Sequence, residues 1–189
     1  MTGGAARTSR LPMNSAQTRA VSMSAAKFLL ENERGGSCHA PKLGYDLEQV
    51  EKIATGQSDG RGGRLADDRD WKRRVAKARL GVLSLEMIEL KILSEVAKGR
   101  PPGPQTSLCK LLASNLRQEV DLLALDALGP AGLQLESIRP LYGDNAPPPV
   151  LGRDAQVAAA RYLNSRAWTI FGGTNEVQSS IIAKTVLGL

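Results

Sequence analysis

A chain of 189 residues has room for one ordinary domain with a core of its own. Hydrophobic residues at 42% and charged residues at 23% exclude a disordered chain, aromatics at 4% disfavour a β-sandwich, and no long apolar run offers a membrane-spanning helix. The net charge of +6 sits in the first 100 residues, where 18 Lys and Arg face 12 Asp and Glu; residues 101–189 carry seven of each.

The first 30 residues hold Arg7, Arg10, Arg19 and Lys27 and no acid. Residues 1–19 therefore read as an unstructured basic leader or a start that is not native sequence. The expected compartment is cytoplasmic, or the mitochondrial matrix if that segment is a true leader. Residues 20–189 then form one helical unit. From Ala20 to Arg34 the apolar residues Val21, Ala25, Phe28 and Leu29 recur at helical spacing, and Gly35-Gly36 stops that helix. A short helix follows from Tyr45 to Thr55, then a flexible turn with four glycines from Gly56 to Gly63.

The clearest period runs through Trp71, Val75, Ala78, Val82 and Leu85, with Ile92 and Val96 resuming the seam. A second stripe, Leu80, Leu83, Met87 and Leu90, lies on an adjacent face, which predicts a helix enclosed by the bundle. Pro101, Pro102 and Pro104 end it. Thr106 or Ser107 suits the N-cap of the next helix, which runs to Leu128 and buries Leu108, Leu112, Leu116, Val120, Leu123 and Ala127. Residues 134–151 read as a long loop. Two last helices span Ala155–Trp168 and Asn175–Leu187, with Phe171-Gly172-Gly173-Thr174 between them. The fold class is all-α, an antiparallel up-and-down helical bundle.

Two cysteines, Cys38 and Cys109, are too few for a disulfide framework, and Cys38-His39 lacks the further ligands of a zinc site. The basic first half invites a nucleic-acid reading, but so few aromatics give no stacking platform.

The closing run IFGGTNEVQSSIIAKTVLGL, Ile170 to Leu189, closely resembles the end of acyl-CoA dehydrogenases. AKFLLENERGG (Ala26–Gly36) is similar to the helix end that carries the base in one branch of that family, and LALDALGPAGL (Leu123–Leu133) to its glycine-rich turn. The resemblance covers about residues 20–189. It implies the family's C-terminal helical-bundle domain, without the N-terminal helical and middle β-barrel domains. It also implies FAD as cofactor, an acyl-CoA thioester of lipid metabolism (fatty acid β-oxidation) as substrate, electron-transfer flavoprotein or a similar acceptor as partner, and a homo- or hetero-oligomer.

In that family a carboxylate removes the α-proton of the thioester while the β-hydrogen leaves as hydride to the flavin. Hydrogen bonds to the carbonyl stabilise the enolate. Many relatives place the base directly before the Gly-Thr pair, a position that is Gly172 here, with no side chain to accept a proton. The other branch's position matches Glu33, so the resemblance makes Glu33 the base; a solvated charge at a helix end is the plain alternative. Glu89 is a second carboxylate of interest, because it falls where the seam calls for an apolar residue. A local shift of the stripe would leave it half exposed.

By position the motif assigns flavin contacts to Gly172, Gly173, Thr174, Glu176 and Gln178. Gly129 and Gly132 match the turn that meets a neighbouring subunit's flavin. Two departures weaken this match. A Gln common three residues before the first glycine is Asp126, and the Arg-x-x-Phe-Gly segment for the pyrophosphate is missing, with Arg69, Arg73 and Arg74 reading as a solvated face. The function implied is α,β-dehydrogenation of an acyl-CoA by an enzyme of which this chain is one part. The alternative is a non-catalytic oligomerisation subunit or a truncated fragment of such an enzyme.

Overall fold

The computed structural model describes residues 39–134 and 153–189. The expected helix over 20–34, the loop over 134–151 beyond its first residue, Cys38 and Glu33 all lie outside the described residues. Within them the architecture is the expected all-α bundle, of five α-helices with 3-10 turns in several of the connections.

Helix α1 spans Ala40–Thr55, five residues earlier than the apolar pattern suggests. Pro41 fits its first turn, where a missing N–H costs nothing. No side chain at the chain's own N-cap closes it. The cap comes from elsewhere in the fold. Helix α2 spans Arg69–Ala97 and opens on Asp68, whose carboxylate accepts from the Trp71 amide at 2.8 Å. Its inward face is Trp71, Val75, Ala78, Val82, Leu85, Glu89 and Ile92, as the period predicts, but Val96 is exposed. The second stripe is a correction: Leu80, Leu83, Met87 and Leu90 all face outward, so α2 is not enclosed.

Helix α3, Gln105–Leu128, starts at Pro104, and neither Thr106 nor Ser107 is its N-cap. Both sit buried in its first turn, where the Thr106 hydroxyl donates to the Gly103 carbonyl at 3.1 Å. Its C-terminus breaks at Gly129, with φ +57, into a 3-10 turn over Gly129–Leu133. Helix α4 covers Arg153–Ser165 and tightens into a 3-10 turn, Arg166–Thr169, rather than staying α-helical to Trp168. Helix α5, Asn175–Ile182, continues as a π-turn to Leu187.

Helix α3 is the hub: α1, α2, α4 and α5 each pack on it. The core gathers Leu43, Leu47 and Val50 of α1, Trp71, Val82 and Leu85 of α2, and Leu116, Val120 and Leu123 of α3. Burying one such side chain is worth about 1.5–3 kcal/mol. Direction follows from the cross-links. Arg74 near the start of α2 pairs with Asp126 near the end of α3, and Arg161 of α4 reaches Asp46 of α1 at 2.8 Å. At Gly81 the two long helices come so close that a Cβ would lie 2.5 Å from the Leu116 Cδ2.

A buried ionic network fixes α1, α3 and α4 in register. Arg117 donates to Asp121 through Nε and Nη2 (2.8 and 2.7 Å) and to Asp46 through Nη1 at 2.7 Å. Lys42 adds a bond to the other Asp46 oxygen at 2.9 Å. Burial works to raise the Asp46 pKa, yet hydrogen bonds from Lys42 and Arg161 and the charges of Arg161 and Arg117 hold it below its usual value. For Asp121 burial wins over Arg117 and the carboxyl is pushed up.

Candidate functional site

The α4–α5 connection carries the glycine-rich motif, and its geometry starts from the glycines. Gly172 and Gly173 adopt φ +66 and +91, the left-handed region that side chains rarely enter. A Cβ on Gly172 would meet nothing within 4 Å, so there is room beside its Cα. Thr174 then caps α5, its hydroxyl accepting from the Val177 amide at 3.3 Å. Asn175 locks the turn onto α3, accepting from Lys110 Nζ at 2.9 Å and Ser114 Oγ at 3.1 Å, and donating to Asn115 at 3.3 Å.

Gln178 is fully buried behind this turn. Its Nε2 donates to the Gly172 carbonyl at 2.8 Å, while its Oε1 has no hydrogen-bond partner among the described residues. An unpaired buried amide oxygen is uncommon and points to a missing donor. Glu176, two residues earlier, is exposed, its carboxyl held below the usual range by its own backbone N–H and then by Thr174.

In front of the turn lies a mainly apolar cavity of about 230 Å³, lined among others by His39, Cys109, Lys110, Trp168, Phe171 and Gly172. Trp168 meets the His39 ring edge-on, with centroids 5.5 Å apart and planes at 71°. Burial lowers the His39 pKa, against the pull of Glu89, and so favours the neutral imidazole. No carboxylate is among the described residues that line this cavity.

Glu89 has a different task. It is only 6% exposed, not half exposed as the shifted stripe would have it, and its two oxygens accept from the His39 and Ala40 amides at 2.7 and 3.2 Å. Those amides are the unpaired N–H groups that open α1. Glu89 is thus the N-cap of α1, supplied across the bundle from α2, and its negative charge also faces the positive end of the helix dipole. Through His39 the same carboxylate sets one wall of the cavity.

The two groups of motif residues do not meet. Gly172, Gly173, Thr174, Glu176 and Gln178 cluster beside the first turns of α3, whereas Gly129 and Gly132 form the turn beyond its far end. Fifteen residues of helix separate Ser114 from Gly129, roughly 20 Å at 1.5 Å per residue. Gly132 is packed against Leu128 and Leu125, and Asp126 is taken up by Arg74. Arg74 is therefore a structural cation, while Arg69 and Arg73 lie on an exposed face.

Pattern reasoning overlooked Trp168, Lys110 and His39 as site residues. His39 drew notice only beside Cys38 as a metal idea, and among the described residues no group of His, Cys, Asp and Glu is placed to hold a metal. Nor is any helix there long and apolar enough to cross a membrane.

Comparison with known proteins agrees with this architecture. The family model for the acyl-CoA dehydrogenase C-terminal domain matches residues 17–187. The acyl-CoA dehydrogenase IpdE1 of Mycolicibacterium smegmatis is 31% identical over 157 residues, covering 83% of this chain and 34% of that protein. The chain thus spans about a third of the length of that curated relative. Among solved structures, the ChsE4-ChsE5 complex from Mycobacterium tuberculosis superposes with a TM-score of 0.62 at 25% identity, covering 78% of this chain and 35% of that one. The FAD complex of PigA shares the fold, with a TM-score of 0.62 at 20% identity and coverage of 80% and 34%.

Proposed function

The chain belongs to the acyl-CoA dehydrogenase family, as its C-terminal domain, and from that premise we propose that it contributes the helical half of a site for α,β-dehydrogenation of an acyl-CoA thioester. The observation that carries this reading is Gly172, with room beside its Cα and a left-handed φ, at the edge of an apolar, tryptophan-walled cavity. Such an arrangement suits one edge of a flat cofactor, because glycine lets a ring or phosphate approach the main chain. FAD, when bound, supplies the two-electron acceptor for the β-hydride.

The chain's own residues would do the rest. Gly172, Gly173 and Thr174 offer main-chain contacts, Glu176 and Gln178 orient them, and Trp168 and Phe171 keep water from the reacting carbons. Gly129 and Gly132, at the far end of α3, would serve a second copy's cofactor rather than their own. Glu33 would take the α-proton as a general base. The missing β-barrel and N-terminal domain would come from a partner chain or from further sequence, and electrons would pass to electron-transfer flavoprotein or a similar acceptor.

The test is the visible spectrum of the purified chain after FAD addition and desalting, with Trp168 fluorescence in a Trp71→Phe background as a second readout. Retained yellow colour and quenched tryptophan emission are expected, with Glu33→Gln keeping both while abolishing acyl-CoA dehydrogenation. A colourless chain with unchanged emission would remove flavin binding. A second reading, a non-catalytic oligomerisation subunit, draws on the carboxylate-free lining of the described cavity. It is supported if flavin is retained and Glu33→Gln changes no turnover.

A further inference from the structure

A second cavity lies between α1, α3 and α4, and it shares no described lining residue with the one in front of the glycine turn. It measures about 260 Å³, a little under the roughly 300 Å³ at which drug-sized sites begin, so its occupant must be small. Its floor is apolar: Val50 and Ile53 of α1, Val120 and Ala124 of α3, Val157 and Ala158 of α4. Its two ends differ in charge. At one end stand Lys42, Asp46, Asp121 and Arg161, with Arg117 behind them bridging the two aspartates. Three cations there face two carboxylates, a net of +1. At the other end Asp154 is the one charged group among the described lining residues. Asp46 to Ile53, Asp121 to Leu128 and Arg161 to Asp154 are each two helical turns, so the ends are about 10 Å apart.

The cationic end has donors to spare. Lys42 and Arg161 are 65 and 41% exposed, and each reaches Asp46 through one nitrogen, at 2.9 and 2.8 Å. Arg161 Nε stops 3.9 Å from Asp121, too far for a hydrogen bond. A guanidinium carries five N–H groups and an ammonium three, so both side chains can serve a further acceptor at the cavity mouth. We infer that this cavity binds a medium-chain aliphatic carboxylate, its head on Arg161 and Lys42 and its tail along the valine floor toward Leu128.

Each part of that ligand answers a feature of the cavity. The carboxylate neutralises the net +1 and takes charge-assisted bonds from the spare donors. The alkyl chain covers the floor, and about 10 Å of trough is the reach of a medium-length chain rather than a long one. Asp154 sets the direction, because it would repel a second carboxylate at the tail end. An alkylammonium is disfavoured at the head, where Lys42 and Arg161 already stand. This site goes beyond the flavin reading and does not rest on it.

Titration calorimetry of the full chain with hexanoate, octanoate, octanedioate and octanol tests the site. Octanoate is expected to saturate at one per chain. It should bind roughly tenfold tighter than hexanoate, since each added methylene contributes about three- to fourfold. Octanol and octanedioate should each bind at least tenfold more weakly than octanoate. Arg161→Gln should weaken octanoate at least tenfold. Because Arg161 also holds Asp46, Val157→Glu at an exposed floor position is the second probe. It sets an acid beside the tail and should abolish binding with the circular dichroism unchanged. Leu80→Glu, on the exposed face of α2, should leave octanoate binding intact. No saturable binding, octanol binding as tightly as octanoate, normal binding by Val157→Glu, or an equal loss in Leu80→Glu would each overturn the assignment.

Discussion

Replacing Glu89 by alanine is the sharpest probe of how this bundle is tied together. The side chain is buried and accepts two amides from the first turn of α1, 49 and 50 residues away in sequence. Each charge-assisted bond is worth about 1.5–3 kcal/mol, and the Ala40 amide left behind is buried. The two bonds share one carboxylate, so their sum overstates the loss, and a cost of about 3–4 kcal/mol is expected. For a chain of 189 residues this lowers the melting temperature by roughly 10 °C. Glu89→Gln keeps the shape and one acceptor and should lose about half as much. Glu86→Ala, one turn away and exposed, should cost no more than about 0.5 kcal/mol. The assay is thermal and urea unfolding of the three variants, with hydrogen exchange of the His39 and Ala40 amides. Equal melting temperatures for Glu89→Ala and Glu86→Ala would refute the cross-bundle cap.

Two further outcomes concern the ionic network. Arg117→Met strands Asp121 and deprives Asp46 of its central partner, so it should cost about 3–5 kcal/mol in urea unfolding, and Arg117→Met/Asp121→Leu should recover most of that because the closest pair leaves together. A double variant as unstable as the single one would count against the pairing. The two aspartates respond to acid with opposite sign. Asp46 lies below its usual 3.8, so its stabilisation is complete above that pH and disappears as pH falls through the lower folded value. Asp121 is raised, so its contribution is full below its ordinary value and is lost as pH rises through the folded one. Asp46→Asn should therefore flatten the acid limb of the urea midpoint below about pH 4, and Asp121→Asn should steepen it.

Helix positions were largely legible in the sequence because apolar period and proline punctuation are local signals. The inward face of α2 from Trp71 to Ile92, the break at Pro101–Pro104 and the Thr174 cap all follow from neighbours within a turn or two. What eluded sequence reasoning is long-range. The start of α1 depends on a carboxylate from α2, so residues near Ala40 carry no sign of their own cap. The outward stripe of α2 reads as core until packing shows that no described helix covers it. Likewise nothing local marks Arg117, Asp46 and Asp121 as one cluster, since Asp46 and Arg117 stand 71 residues apart. The site was half legible: the glycine turn announces itself, but its walls, His39 and Trp168, come from elements that meet only in three dimensions.

The hub position of α3 has a consequence for synthesis. Helices α1 and α2 leave the ribosome first and can pair with each other, but the inner faces of both are completed only by α3. Thirty-one residues separate the end of α2 at Ala97 from the end of α3 at Leu128. At about 5–20 residues per second, Leu43, Leu47, Val82 and Leu85 wait roughly 2–6 s for Leu116, Val120 and Leu123 to arrive. The nascent bundle thus passes through an interval in which two open apolar faces compete for the same chaperones, and any pause within the α3 codons lengthens it.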